Sequence, residues 1–220
     1  MRSQQRSPEE WRRARIRTAA GRHGRTTDRM RRVLAELEPH HGLDARPDPT
    51  RPLVLEVGCG HGEAAWGFAE AHPALDVLAV DVHVPGIVEL LDQMEVGKPP
   101  NLFAERADGL DLLDHVFGPH SLAGLILAFP DPWPKAKHHK RRFVRPDVLD
   151  LLADRLVPGS PVYVATDHAD YAEWAVEHLD EHPEFIGGVS ARPAWRPITR
   201  YERTGLDAGH DIVDLAYHRR

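Results

Sequence analysis

Short strand-like segments alternate with helical patterns from Arg51 to the end of the chain, and this alternation restricts the fold more than any other feature. The strand-like segments are 53–57, 75–82, 101–107, 122–129, 161–167, 185–190 and 211–218. The helical patterns are 26–38, 62–72, 86–94, 148–156 and 171–182. The alternation predicts an α/β fold, a doubly wound, mostly parallel sheet of seven strands with helices on both faces. Ligands of such sheets bind beyond the carboxyl ends of the strands, so the residues that follow each strand form the candidate site.

Cysteine content and hydropathy exclude several classes of protein. A single cysteine, Cys59, excludes a disulfide framework within the chain and a zinc site built from several cysteines. No run reaches the ~18 apolar residues of a membrane-spanning helix, and the basic amino terminus lacks the apolar stretch of a secretory signal. These features favour a cytoplasmic enzyme that acts outside membranes and without a metal.

Charge is distributed unevenly along the chain. The net charge is -6, yet residues 1–32 contain eleven arginines and three acidic residues, so these 32 residues carry +8 and the other 188 carry −14. We predict a basic, flexible arm at residues 1–25 and a single domain at residues 26–220. A basic arm on an acidic domain favours binding to a polyanion such as a nucleic acid, and a solubilising tail is the alternative.

The first strand leads directly into Glu56-Val57-Gly58-Cys59-Gly60-His61-Gly62 and then a helix. A dinucleotide-binding loop would have its third glycine at position 63, which is glutamate here. A carboxylate just ahead of the loop is unfavourable for a pyrophosphate and suits a ligand with an ammonium or sulfonium group. The pattern therefore indicates S-adenosylmethionine, and a purely structural glycine turn is the alternative.

Acidic residues also follow the second and third strands. Asp81 lies about twenty residues after the glycine loop, the spacing of an acid that binds ribose hydroxyls. Asp108 is placed to meet an adenine amino group. A helix cap is the alternative for Asp81, and an Asp-Gly turn is the alternative for Asp108.

The fourth strand ends in the sequence FPDPWPK, residues 129–135, followed by AKHHKRR. Three prolines fix the backbone there and hold Asp131 beside the donor pocket. Trp133 offers a base-sized face, and the basic run after it is typical of a nucleic-acid site. The adjacent residues His138 and His139 do not predict a zinc site, because neighbouring histidines point apart.

Four motifs together resemble the bacterial tRNA (guanine-N7)-methyltransferase family. They are E-x-G-x-G-x-G, FPDPWPK with KHHKRR, ATDHADY, and RPITRYERTGLDAGHDIVDLAY, within a likeness over about residues 20–218 that includes Arg22-His23-Gly24-Arg25. FPDPWPK with its basic run is the specific part, since the glycine loop is common to methyltransferases. The resemblance implies a class I methyltransferase fold and methyl transfer from S-adenosylmethionine to N7 of a guanine in the tRNA variable loop.

The resemblance also implies residue roles. The methyl donor would be bound by Glu56, Gly58, Gly60, Asp81, Asp108 and Asp131. The guanine substrate would be bound by Lys135, Asp167, Thr199, Arg200, Tyr201 and Glu202. The RNA would be contacted by Lys137, His138, His139, Lys140, Arg141 and Arg142. Two positions depart from the family, since Asp81 stands where glutamate is usual and Arg200 where lysine is usual. Both changes keep the charge and alter the geometry.

Guanine N7 carries an unprotonated lone pair, so its methylation needs alignment and charge stabilisation rather than a general base. Asp131 is the first candidate for stabilising the developing positive charge, and Asp167 is the second. Asp167 or Glu202 would accept hydrogen bonds from the guanine edge. Lys135 would meet a phosphate or O6.

Three other functions are weighed against this one. The lysine cluster and the basic arm disfavour a methyltransferase of small molecules. The intact set of Glu56, Asp81 and Asp131 disfavours a noncatalytic RNA-binding module, and the glycine spacing disfavours a nucleotide-dependent dehydrogenase. The sequence allows a monomer or a homodimer.

Overall fold

Seven strands form one sheet at the centre of the computed structural model, which describes residues 26–220. The strands are β1 (Leu53–Val57), β2 (Asp76–Val80), β3 (Leu102–Glu105), β4 (Gly124–Ala128), β5 (Pro161–Thr166), β6 (Phe185–Ser190) and β7 (Val213–Arg219). Their order is β3-β2-β1-β4-β5-β7-β6, and β7 runs antiparallel to both of its neighbours. The predicted mostly parallel, seven-stranded sheet is confirmed.

Helices cover both faces of this sheet. They are α1 (Asp28–His41), α2 (Glu63–Ala71), α3 (Val84–Val96), α4 (Gly109–His115), α5 (Pro146–Arg155), α6 (Ala169–Glu181) and α7 (Arg200–Asp207). Two short 3₁₀ helices lie at Leu43–Ala45 and Ala136–Arg141. Thr27 caps α1, because its side chain accepts the Met30 N–H.

Alternating side chains of β1 enter two different cores, which explains why four of its five residues are apolar. Leu53 and Leu55 pack with residues of α4, α5 and α6, whereas Val54 packs with residues of α2 and α3. All five residues of β1 are buried. Glu56 has the same parity as Val54, so its carboxyl group lies on the α2 side of the sheet.

The register of the parallel strands places their carboxyl ends together. Val57 pairs with Val80 at the ends of β1 and β2, and Glu56 pairs with Ile126 two residues before β4 ends. The loops after β1, β2 and β4 therefore meet at one edge of the sheet.

Some predictions are corrected or lie outside the described residues. The helices α4 and α7 were not among the predicted ones, and α1 continues through Pro39 to His41 instead of ending at residue 38. The predicted arm, residues 1–25, and its Arg22–Arg25 element lie outside the described residues. Within residues 26–220, every helix is too short or too polar to cross a membrane.

Candidate active site

The glycine loop after β1 requires glycine at three positions. The φ angles of Gly58, Gly60 and Gly62 are 73°, 59° and 79°, values that side chains with a Cβ rarely adopt. A Cβ built on Gly58 meets no atom within 4 Å, so there is open space directly beside the loop. The loop is held against β2, since the Gly58 N–H donates to the Val80 carbonyl at 2.8 Å.

Glu56 is a buried carboxyl group directly beneath this loop. The residue is 1% exposed, and its Oε2 atom has no hydrogen-bond partner among the described residues. Burial raises the pKa of Glu56 to about 8, and the charges of Glu63 and Asp81 act in the same direction, while the Ala65 N–H opposes them. A buried carboxyl with an unpaired oxygen suits a cationic ligand group, because such a group would restore the charged form.

The acids after β2 and β3 are both bonded to nearby backbone. Asp81 accepts the Gly60 N–H on Oδ2 at 2.9 Å and the His83 N–H on Oδ1 at 2.8 Å. It thereby shapes the glycine loop, and its contact with ribose stays a prediction. Asp108 caps α4 by accepting the Leu110 N–H at 2.9 Å, so the Asp-Gly pair begins a helix rather than the turn given as its alternative, and the adenine contact stays a prediction.

The segment after β4 has an unusual backbone. Phe129 and Trp133 adopt positive φ angles of 53° and 45°, although neither is glycine. Such residues persist only where surrounding contacts hold them, and they are often found at functional sites. Asp131 lies between them and its side chain is exposed to solvent. This turn places Asp131 at the edge of the sheet where the loops after β1 and β2 also lie.

The basic run folds as the 3₁₀ helix Ala136–Arg141, which has three residues per turn and aligns residues i and i+3. Lys137 and Lys140 form an exposed column. His138 and Arg141 form a second column against Trp133. The His138 and Trp133 ring centroids lie 5.7 Å apart, and the Arg141 Cζ lies 3.6 Å from the indole centroid. The Arg141 guanidinium group therefore covers one face of Trp133, and stacking of a base on Trp133 stays a prediction.

The prediction that Arg142 contacts RNA is wrong, because its side chain does not reach the surface. The side chain is fully buried, and its Nε donates to the Pro132 carbonyl at 2.9 Å. Its Nη2 forms an ion pair with Asp170. A phosphate on the protein surface cannot reach this guanidinium.

Two residues of the 199–202 segment, Thr199 and Glu202, stabilise the amino-terminal end of α7. Thr199 accepts the Glu202 N–H at 3.1 Å, as in a capping box. Glu202 is 2% exposed and binds Arg196 at 2.5 Å, and Arg196 also binds Asp214 at 2.9 Å. The alternative in which Glu202 accepts hydrogen bonds from the guanine edge is wrong, because its carboxylate is enclosed in this buried network.

The other two residues of the segment cover the glycine loop. Arg200 forms ion pairs with Glu89 and, at 3.6 Å, with Glu63. The Tyr201 ring lies so close to Gly60 that a Cβ built there would be 2.7 Å from it.

Tyr201 also lies close to both candidate acids of the site. Burial raises the pKa of Tyr201, and the negative charges of Asp81, Glu63 and Asp131 add to the rise. Tyr201 therefore lies in the shared field of Asp81, after β2, and Asp131, after β4.

The two remaining predicted substrate residues lie at strand ends or beside them. Asp167 follows β5, and its Oδ2 lies 3.2 Å from His210 Nδ1. It packs on α7 at Gly205, where a Cβ would come within 2.7 Å of its carboxylate. Lys135 is exposed at the start of the 3₁₀ helix.

Arg196 and Asp170, which the sequence analysis did not single out, hold parts of this site in place. Arg196 anchors α7, which carries Tyr201, and Asp170 anchors Arg142. The signal for Arg196 in the sequence is an arginine enclosed by apolar residues and prolines in the segment PAWRP, and its partners Glu202 and Asp214 follow 6 and 18 residues later.

Comparisons with known proteins agree with this geometry. Residues 50–215 match the family described as "Putative methyltransferase". The chain is 42% identical to the tRNA (guanine-N(7)-)-methyltransferase of Streptomyces coelicolor over 220 residues, which cover 93% of this chain and 81% of that protein. It is 38% identical to the protein of the same name from Nitrosospira multiformis, over 93% of this chain and 95% of the relative.

Solved structures share the fold at low sequence identity. The 16S rRNA methyltransferase KamB superimposes with a TM-score of 0.56 and 16% identity, over 92% of this chain and 98% of KamB. An rRNA methylase from Streptococcus thermophilus gives a TM-score of 0.51 and 15% identity, over 89% of this chain and 97% of that one. These likenesses identify the fold as that of the class I methyltransferases.

Proposed function

The chain belongs to the tRNA (guanine-N7)-methyltransferase family, and from this premise we propose that it transfers the methyl group of S-adenosylmethionine to N7 of a guanine in the tRNA variable loop. One observation carries the choice of donor: the buried Glu56 carboxyl has an oxygen with no partner within residues 26–220, and it lies beneath a loop of three positive-φ glycines. A cationic donor satisfies that oxygen, whereas a pyrophosphate would be repelled.

The residues around the glycine loop fit this donor. Glu56 would bind its cationic end, and Gly58 leaves room for close approach of the ligand to the backbone. Asp81 and Asp108 are proposed to accept hydrogen bonds from the donor's hydroxyl and amino groups, since a carboxylate oxygen accepts more than one hydrogen bond. When bound, S-adenosylmethionine supplies an electrophilic methyl group carried on a sulfonium.

Asp131 is proposed to stabilise the guanine that receives the methyl group. Guanine N7 has no proton to remove, so no residue of this chain needs to act as a general base. The methylated ring gains positive charge, and a fixed carboxylate favours that charged state more than the neutral base. Asp131 is solvent-exposed in the free protein. Covering by tRNA would lower the local dielectric and strengthen this interaction.

Asp167 is proposed to read the guanine edge, by accepting hydrogen bonds from N1–H and the 2-amino group. This assignment follows from the burial of Glu202, the alternative reader. Lys135 is exposed beside the Asp131 turn and is proposed to meet O6 or the nearest phosphate. Tyr201 packs against the glycine loop at Gly60 and lies in the electrostatic field of Asp131, so it is proposed to contact both the donor and the base.

The outward column of the 3₁₀ helix is proposed to contact the tRNA backbone. Lys137 and Lys140 are exposed on one face, whereas the other two columns pack on Trp133 and on α6. The arm at residues 1–25 is proposed to extend this surface. The cytoplasmic location and the choice between monomer and homodimer stay predictions.

The modified position is tested with two tRNA transcripts and labelled donor. One carries the variable-loop guanine and the other has adenine in its place. A third transcript, with a guanine replaced in the anticodon stem and its base pair restored, is the matched control. We expect methylation of the first and the control only. Equal methylation of the adenine transcript would overturn the variable-loop assignment.

A further inference from the structure

The third column of the 3₁₀ helix faces inward, towards α6. The rings of His139 and Trp174 lie 5.2 Å apart, and the Arg142 Cζ lies 4.9 Å from the Trp174 ring. His139 and Arg142 are three positions apart, the spacing at which a 3₁₀ helix aligns side chains. In the part of the chain that the structure describes, the column of Lys137 and Lys140 is the exposed one of the three.

Arg142 links the Asp131 turn to α6. Its Nε donates to the Pro132 carbonyl at 2.9 Å, and its Nη2 pairs with Asp170 in the first turn of α6. Arg145 holds the backbone of Arg142 in turn, since its Nη1 donates to the Arg142 carbonyl at 2.8 Å. A rigid, planar guanidinium can satisfy two acceptors in fixed directions at once, which a lysine cannot do.

The carbonyl that Arg142 binds is next to Asp131 in the turn. It belongs to Pro132, between Asp131 and the positive-φ residue Trp133. The partner Asp170 lies three residues after Asp167, at the end of β5. A single buried side chain therefore fixes the loop after β4, which carries Asp131, relative to the loop after β5, which carries Asp167.

We propose that Arg142 is a positioning residue for methyl transfer, which holds Asp131 through the Pro132 carbonyl and makes no contact with tRNA. The inference rests on the proposed role of Asp131. It assigns the basic run two separate tasks. Lys137 and Lys140 bind RNA from outside, and Arg142 shapes the active site from inside.

The test compares Arg142→Gln with Arg155→Gln. Arg155 is a matched control because its Nε also donates to a backbone carbonyl, that of Leu113, and its Nη1 also pairs with an aspartate. It lies at the carboxyl end of α5, next to the start of β4 and so at the opposite edge of the sheet. The measurements are single-turnover rate at saturating donor and tRNA, tRNA affinity across a salt series, and the thermal unfolding midpoint.

For Arg142→Gln we expect a rate at least tenfold lower, with tRNA affinity within twofold and an unchanged salt slope. Arg142→Lys, which keeps the charge and one donor direction, should recover part of the rate. Arg155→Gln should keep the wild-type rate. A loss of tRNA affinity with a shallower salt slope in Arg142→Gln would overturn the inference in favour of an RNA contact.

A double-mutant cycle with Asp131→Asn tests whether Arg142 acts through Asp131. We expect the combined variant to be no slower than Asp131→Asn alone. Losses that multiply would overturn the inference alone, whereas full turnover of Asp131→Asn would overturn the proposed role of Asp131 and the inference with it.

Asp170→Asn tests the same link should Arg142→Gln not fold, because the Asp170 side chain is 55% exposed. A lower rate with unchanged tRNA affinity is expected for Asp170→Asn. An unchanged rate would overturn the inference.

Discussion

Replacing Glu56 with glutamine should make the ligand-free protein more stable and its donor binding weaker. The carboxyl group is enclosed by β1 and α2, and burial raises its pKa to about 8 from an ordinary value of 4.5. In the unfolded chain the same group is ionised at pH 7, so folding must bind about one proton. The neutral amide avoids this requirement.

The magnitude follows from the two pKa values. Because the folded pKa is raised, the stability associated with the protonated carboxyl is fully present below pH 4.5 and is lost as the pH rises through about 8. One pKa unit corresponds to about 1.4 kcal/mol, so the cost is about 1 kcal/mol at pH 5 and about 3 kcal/mol at pH 7. The stability gained by Glu56→Gln should therefore increase by about 2 kcal/mol between these pH values.

Urea unfolding of both proteins at pH 5, 6, 7 and 8 without donor measures this increase. Glu36→Gln, a change on the exposed side of α1, controls for the loss of one surface charge. The variant should bind donor much more weakly, and wild-type binding at pH 7 should release nearly one proton. A stability difference that does not change with pH, or an unchanged donor affinity, would refute the assignment of Glu56 as a buried cation-binding carboxyl.

Three further variants give expected outcomes. Asp131→Asn should lower the single-turnover rate by about a hundredfold with an unchanged melting temperature, because electrostatic groups of this kind contribute about 10²–10³ in rate. A near-wild-type rate would exclude that role. The double variant of Lys137 and Lys140 to glutamine should make the slope of log affinity against log salt shallower by about 1.5, since each phosphate contact contributes about 0.7–0.9. An unchanged slope would remove these lysines from the RNA surface. Arg196→Met should lower the free energy of unfolding by about 3–5 kcal/mol, because it removes the shared guanidinium between two buried carboxylates, Glu202 and Asp214. A loss below about 1 kcal/mol in urea unfolding would contradict this account.

The strands and the acids that follow them were predictable because their signals are local. β1 and β5 begin at the predicted residues, and the glycine loop, Asp81 and the Asp131 turn follow strands whose apolar runs are unmistakable. Parallel strands bring their carboxyl ends to one edge, so the neighbourhood of Glu56 and Asp81 follows from topology.

The failures concern charged residues that are buried in ion pairs. Arg142 and Glu202 have side chains that normally face solvent, and both are buried here. Asp170 lies 28 residues after Arg142, and no local pattern in the sequence indicates that the two residues pair. Helix α7 was missed for the same reason, because its anchor is the Arg196 network rather than an apolar stripe. Its capping pair, Thr199 with Glu202, was nevertheless readable in the sequence.

Nucleoside analysis of methylated tRNA tests the central claim most directly. Bulk tRNA that lacks 7-methylguanosine is incubated with the protein and methyl-labelled S-adenosylmethionine, digested to nucleosides and separated. We predict that the label appears in 7-methylguanosine and that Asp131→Asn, at equal concentration, transfers far less. Label in any other nucleoside, or no transfer by a folded protein that binds the donor, would contradict the account.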